Sequence, residues 1–207
     1  MKLFLNKSQG TDSHSGYMNR LIKYFQEITH LTDIEIRDLE DSMEIVSYSK
    51  GDYLLREGQS MKNTYFVLKG CIRHFKLEDG EERTTDFFME DHWIIASDDS
   101  GDEASSFENL ICEEDCELVL GNQEKSDAFM EIHPRFESVA IKVMEKTFFQ
   151  QRSDWISFQT GAPEERYKNL INKRPDIFQR VPLYQIASYI GVKPESLSRI
   201  RKRLSQQ

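Results

Sequence analysis

Disulfide chemistry, membrane spans and, over one long stretch, positive charge are all lacking in this sequence. The three cysteines, Cys71, Cys112 and Cys116, are odd in number and widely placed, which argues against a disulfide framework. No apolar run approaches the roughly 18 residues of a membrane-spanning helix. The N-terminus offers only Leu3-Phe4-Leu5 as an apolar core, whereas a secretory signal needs about 7–15 such residues. A cytoplasmic protein without membrane contact is expected. Hydrophobic residues make up 38% and charged residues 30% of the 207, enough apolar mass for a packed core and too little charge for disorder.

The charge is unevenly placed. Net charge is −9, which taken alone speaks against nucleic acid. Residues 162–207, however, carry ten Lys/Arg against four Asp/Glu, so the end is basic and the body strongly acidic. Between Arg83 and Lys125 there is no Lys or Arg, while thirteen Asp/Glu fall in the interval. An acidic body with a basic end suits a module that meets DNA only at that end. An uneven solvated surface would give the same count.

Residues 1–17, with Ser8-Gln9-Gly10-Thr11-Asp12-Ser13 and Ser15-Gly16, read as a mobile tail. From Tyr17 to about Met43, Leu21, Ile22, Phe25 and Ile28, then Ile34, Ile36 and Leu39, recur at helical spacing. Thr32 or Asp33 is the expected cap of the second helix. From Ile45 to Leu120, short apolar runs alternate with Gly and Asp. Asp79-Gly80 between Ile72–Leu77 and Arg83–Phe88 is a strong hairpin signal, because a type I′ turn needs positive φ at both central positions. Turn signals every 8–12 residues suggest an antiparallel barrel or sandwich. Ser126–Met130 and Pro134–Phe158 return to helix. The second carries Phe136, Val139, Ala140, Val143, Met144, Phe148, Trp155 and Phe158 as one stripe. Its length of roughly 37 Å suits either a dimer seam or an internal core helix. The seam is favoured, since the β region leaves little to bury it. Gly161-Ala162-Pro163 ends it, and Glu164–Asn172 forms a further helix.

The segment from Leu183 to Ile200 carries the most specific pattern. Ile186 and Ile190, four apart, form the buried face of a first helix, with Ala187 small where a second helix crosses. Gly191 can take the left-handed conformation that ends the first helix, and Val192 fills the corner. Pro194 opens the second helix, whose inner face is Leu197, Ile200 and Leu204. Two helices on so short a Gly-containing turn are the helix-turn-helix of DNA readers. The outward face is then Glu195, Ser198, Arg199 and Lys202, with Ser196, Arg201 and Arg203 beside it. Arg can bridge O6 and N7 of guanine and Glu can accept from cytosine N4. Cations near the helix end suit phosphates. An ordinary helical hairpin with a basic solvated face is the structural alternative.

Over roughly residues 20–207 the chain resembles the Crp/Fnr family of transcription regulators. Lys50-Gly51-Asp52-Tyr53-Leu54-Leu55-Arg56-Glu57-Gly58 and Tyr65-Phe66-Val67-Leu68-Lys69-Gly70-Cys71-Ile72 look like opening strands of that family's β-roll. The resemblance implies an α+β protein with an antiparallel β-roll sensor domain at 18–130. A long dimerisation helix at 131–160 and an all-α helix-turn-helix domain at 161–207 would follow. It implies a homodimer along helix 134–158, operator DNA as partner, RNA polymerase as a further one, and Glu195 and Arg199 as base-reading residues. Where the cyclic-AMP-responsive member has a third base-contacting arginine, this chain has Pro194. The β-hairpin wing that usually follows the recognition helix is expected to be missing after Gln207.

The nucleotide cassette also departs. Cyclic-nucleotide-binding members hold the phosphate with a Gly-Glu…Arg-Ser/Thr motif. The stretch from Trp93 to Phe107 has neither a Gly-Glu pair nor an Arg. A phosphate there would meet repulsion with no local cation, so cyclic AMP is not the expected effector. An unidentified small molecule would sit in a β-roll pocket near Trp93, Ser97, Ser105 and Ser106. No cofactor is expected. An iron–sulfur cluster needs a set of cysteines, and none precedes Cys71. Cys112 and Cys116 flank an acidic turn and suit a thiol pair, a metal site or small core residues. His74 or His92 is a weaker candidate, as a haem ligand. A cupin-type enzyme needs about three His and a carboxylate, and the β region offers only those two. No P-loop, GxGxxG or nucleophile elbow is present. The expectation is a sequence-specific regulator and not an enzyme. The alternative is a sensor of the same fold that acts through protein contacts.

Overall fold

The computed structural model describes residues 11–61, 63–95, 106 and 108–206, with backbone alone at 11–15 and 17. Helix α1 (Thr11–Gln26) places Met18, Leu21, Ile22 and Phe25 on one buried face, the spacing of an amphipathic helix. The tail expected over 1–17 is therefore helical from Thr11 onward, and 1–10 lie outside the described residues. Thr, Asp and Ser at 11–13 are capping-type residues, so composition hid a helix start. Helix α2 (Asp33–Ser42) is capped by Thr32, not Asp33. The Thr32 hydroxyl accepts from Glu35 N at 3.3 Å, and the Glu35 carboxylate accepts from Thr32 N at 2.8 Å. This reciprocal pair is a capping box. Arg135 then donates to both oxygens of Glu35, at 2.5 and 2.6 Å.

Eight strands follow among the described residues: β1 (Glu44–Tyr48), β2 (Tyr53–Leu55), β3 (Thr64–Lys69), β4 (Ile72–Glu78), β5 (Glu81–Phe88), β6 (Trp93–Ile94), β7 (Glu108–Cys112) and β8 (Cys116–Gly121). They form two four-stranded antiparallel sheets, in the orders β1-β8-β3-β6 and β2-β7-β4-β5. Asp79 and Gly80, with φ of 53° and 81°, make the β4–β5 turn where the sequence places it. Tyr65, Val67, Ile72, Leu110 and Leu118 fill the space between the sheets. Their alternates Phe66, Leu68 and Val119 face the other way, onto α1 and α2, as the two-residue period of a strand requires. At Gly70 the chain turns with φ of 112°, and a Cβ there would lie 2.4 Å from Cys116 Sγ. No larger residue fits.

Helix α3 (Gln123–Ile132), capped by Asn122, leads to α4 (Phe136–Thr160). The stripe read along α4 is divided between two surroundings. Phe136, Val139 and Val143 are buried against α1 in the chain's own core. Met144, Phe148 and Trp155 are exposed by 58%, 59% and 61%, together with Ile141 and Phe149. Phe158 is half-buried and packs on Tyr189. One helix serves as both core element and open apolar face.

Helices α5 (Pro163–Lys173), α6 (Ile177–Arg180), α7 (Leu183–Tyr189) and α8 (Pro194–Leu204) complete the chain. The short α6 is not visible in the residue pattern. This helical unit packs directly onto the second sheet. Cys71, Phe87 and Met89 of the β-roll share one core with Tyr167, Leu170, Ile177, Ile186, Ile190, Leu197 and Ile200. Polar contacts lock the seam. Arg180 donates to Glu90 at 2.7 and 3.0 Å and to Glu114 at 2.9 Å. Arg174 donates to Asp86 and to Phe87 O, and the Ser188 hydroxyl accepts from Thr84 N. Beneath them, Arg73 of β4 meets Glu113 at 2.5 Å with both side chains buried, and Gln185 of α7 donates to the same carboxylate oxygen at 2.8 Å.

Two outcomes test these contacts. The hydrogen bonds from Arg135 hold the Glu35 carboxyl down at about 2, against the opposing effect of burial and with help from Thr32. A group whose folded value is depressed stabilises fully above its unfolded value and loses that contribution as pH falls through the folded one. Glu35→Gln should therefore cost about 1–2 kcal/mol near neutrality. The gap in melting temperature to the parent should close as pH falls from about 4.5 towards 2. Glu113→Ala leaves the buried Arg73 guanidinium only the more exposed Glu82 and removes the acceptor of Gln185, and should cost about 2–3 kcal/mol in urea unfolding. The exposed pairs of Glu78 with Lys76 and Arg83 are the control, and Glu78→Ala should leave the urea midpoint almost unchanged.

Candidate nucleic-acid interface

The α7–α8 pair is built as the residue pattern indicates. Ile186, Ala187 and Ile190 have no exposure, and Leu197 and Ile200 are buried opposite them. Ala187 admits the crossing helix, and its carbonyl accepts from Val192 N at 2.9 Å, closing the turn. Gly191 takes φ of 71°, the left-handed state that glycine adopts without steric cost. A Cβ at Gly191 would stand 3.4 Å from the Phe158 ring, so the end of α4 backs the turn. Pro194 is in the first turn of α8, where a missing N–H costs nothing.

Burying Leu197 and Ile200 turns the opposite face of α8 to solvent. Glu195, Ser198, Arg199, Arg201, Lys202 and Arg203 are all exposed, while Ser196 is half-buried beside the turn. These cations divide by partner. Arg203 is ion-paired with Glu164 of α5. Arg199, Arg201 and Lys202 have no ion pair among the described residues. They sit on the C-terminal half of α8, where positive charge also complements the helix dipole. Glu195 lies in the first turn, the acidic end of the same logic. The resulting face presents a carboxylate and a hydroxyl at one end and three uncommitted cations at the other. Such a set matches base edges and phosphates, respectively.

Four other basic residues of the C-terminal segment are paired with acids of the chain itself. Arg174 and Arg180 bind the acids of the β-roll, Lys173 binds Asp154 of α4, and Lys168 binds Glu164. Sequence reasoning missed this, although the signal was present. The thirteen acids without a local cation include Asp86, Glu90, Glu113 and Glu114, and their partners are the arginines of distant elements.

Of the four residues expected to line a β-roll pocket, the structure describes Trp93 and Ser106. Trp93 turns away from the space between the sheets and packs on Tyr24, Phe25 and Phe66. The Ser106 backbone bonds to Gly58 and Gln59. Ser97 and Ser105 lie outside the described residues. His74 pairs with Glu108 at 2.8 Å, and Nδ1 of His92 faces the carbonyls of Met89 and Glu90. The three cysteines are buried free thiols. Burial pushes the Cys71 thiol up; at Cys112 the hydrogen bond with Cys116 does so first and burial second. Thiols so placed behave as core residues, because the thiolate is the reactive form.

Known proteins share this architecture. Residues 45–133 match the cyclic nucleotide-binding domain family. The transcriptional activator protein Anr of Pseudomonas protegens is 23% identical over 190 residues, covering 84% of this chain and 77% of that protein. The structure of FixK2 from Bradyrhizobium japonicum superimposes with a TM-score of 0.66 at 16% identity, over 80% of this chain and 85% of that one. The global regulator CLP of Xanthomonas campestris, described as responsive to c-di-GMP, superimposes at 0.62 with 16% identity, over 84% and 92%. No described helix is long and apolar enough to cross a membrane. A roll of two antiparallel sheets, a long helix and a helix-turn-helix stacked on the roll is thus a fold that this chain shares along most of its length with such proteins, and its residues 45–133 carry the match to the cyclic nucleotide-binding domain.

Proposed function

We propose that this protein is a sequence-specific DNA-binding transcription regulator and not an enzyme. The observation that carries the reading is the exposed face of α8, where Glu195, Ser198, Arg199, Arg201 and Lys202 stand clear of the helix-turn-helix core. Glu195 and Arg199 read base edges, and Arg201 and Lys202 neutralise phosphates. The regulator acts as a homodimer, so that two copies of α8 address two half-sites one helical turn apart. The exposed face of α4 supplies the seam: Ile141, Met144, Phe148 and Trp155 follow intervals of three, four and seven residues, the repeat of paired helices. Cyclic AMP is not its effector, because residues 84–124 contain no Lys or Arg to meet a phosphate.

Operator selection from random DNA, followed by titration at two salt concentrations with and without cyclic AMP, tests the whole reading. Binding should be specific, steeply salt-dependent and unchanged by the nucleotide. Arg199→Ala should weaken operator binding by about 10- to 100-fold and relax preference at one base position. Lys202→Ala should weaken all sequences alike and lower the salt slope by about one. Retained affinity and preference in Arg199→Ala would overturn the base-reading role. Phe148→Asp should yield a particle with the mass of a single chain in sedimentation experiments. A dimer that survives it would place the seam elsewhere.

A further inference from the structure

A cleft of about 640 Å³ lies outside the β-roll, between α1, α4 and the β5–β6 connection. This volume falls in the range of sites that hold small molecules, and such sites favour junctions between structural units. Three units meet here: Lys23 and Tyr24 come from α1, Lys146 and Asp154 from α4, and Arg174 from the end of α5. Phe88 and Trp93 supply aromatic wall from the sheets. Beside the cleft the indole N–H of Trp93 is buried without an acceptor, since the nearby Tyr24 hydroxyl does not meet it in hydrogen-bond geometry.

The lining holds four cations and four acids, and one cation is left without a partner because Asp154 is also engaged from outside the cleft. Arg20 binds Asp91 at 2.6 Å, Lys146 faces Glu27 at 3.5 Å, and Arg174 binds Asp86 at 3.2 Å. Asp154, the remaining acid, is held by Lys173 at 2.6 Å. Lys23 has no ion-pair partner among the described residues. The Lys146 ammonium also lies 4.4 Å from the centre of the Tyr24 ring. One unpaired cation beside aromatic walls selects a single negative charge carried on a flat apolar body. A phosphate dianion would add a second charge next to Asp86, Asp91 and Glu27, with nothing to balance it.

We propose that this cleft binds a small aromatic carboxylate, with Lys23 holding the carboxylate and Tyr24, Phe88 and Trp93 bounding the ring. Resting on the regulator reading, the site is that of the effector, placed where its occupant touches α1, α4 and the C-terminal unit together.

The test needs no DNA, so it is decided independently of that reading. The chain has two tryptophans, and Trp155→Phe leaves Trp93 as the sole reporter. Benzoate, benzamide and benzylammonium share a ring and differ in charge. At constant ionic strength, benzoate should change Trp93 emission saturably in the millimolar range. The other two should bind at least about tenfold more weakly, the worth of one charge-assisted contact. Lys23→Gln, on an exposed position of α1, should abolish that preference and leave the circular dichroism unchanged. No saturable signal, equal response to all three, or a benzoate preference that survives Lys23→Gln would each overturn the assignment.

Discussion

The architecture depends on the meeting of distant arginines with an acidic strip that has no cation of its own. Arg174 and Arg180 arrive from the C-terminal helices, and Arg73 crosses from β4, to satisfy Asp86, Glu90, Glu113 and Glu114. Charges drawn partly out of water need such partners, because leaving one unpaired costs several kcal/mol. The acids lie at or beside the ends of strands β5, β7 and β8, and their partners fix where the helical unit sits. Glu90 is tied in addition to the Gly70 N–H at 2.9 Å. That turn in turn requires glycine, because Cys116 fills the space beside it.

This docking determines what α8 has to offer. Since Arg174, Arg180 and Arg203 are bound within the chain, the cations that face outward are concentrated on α8. The −9 net charge and the basic terminus cease to conflict. Much of the acidity faces the molecule's own arginines, and the part of the basic surplus on α8 stays outside. The same seam passes Asp154 and Arg174 to the wall of the α1–α4 cleft, so the β-roll side and the helix-turn-helix side are joined by shared residues.

What the sequence disclosed follows the range of the interactions involved. The helix-turn-helix was readable because its determinants, Ile186 through Leu204, lie within twenty residues and act through local geometry. The Asp79-Gly80 hairpin was readable for the same reason. The Arg180 contacts span 66 and 90 positions, and no local pattern signals them beyond the shortage of nearby cations. The α4 stripe misled in a different way. Its apolar residues cover more than one face, so Val143 and Met144 are neighbours in sequence yet one is buried and the other exposed. Strand alternation turns the Trp93 ring to the α1 side, which single-residue inspection of a two-residue strand does not reveal.

The core shared by Phe87, Met89, Ile186 and Ile190 has a bearing on how the protein can be handled and how it melts. Cutting the chain after α4 would expose apolar surface on both fragments at once. In the intact chain sheet and C-terminal helices should lose structure together, and calorimetry should record a single transition.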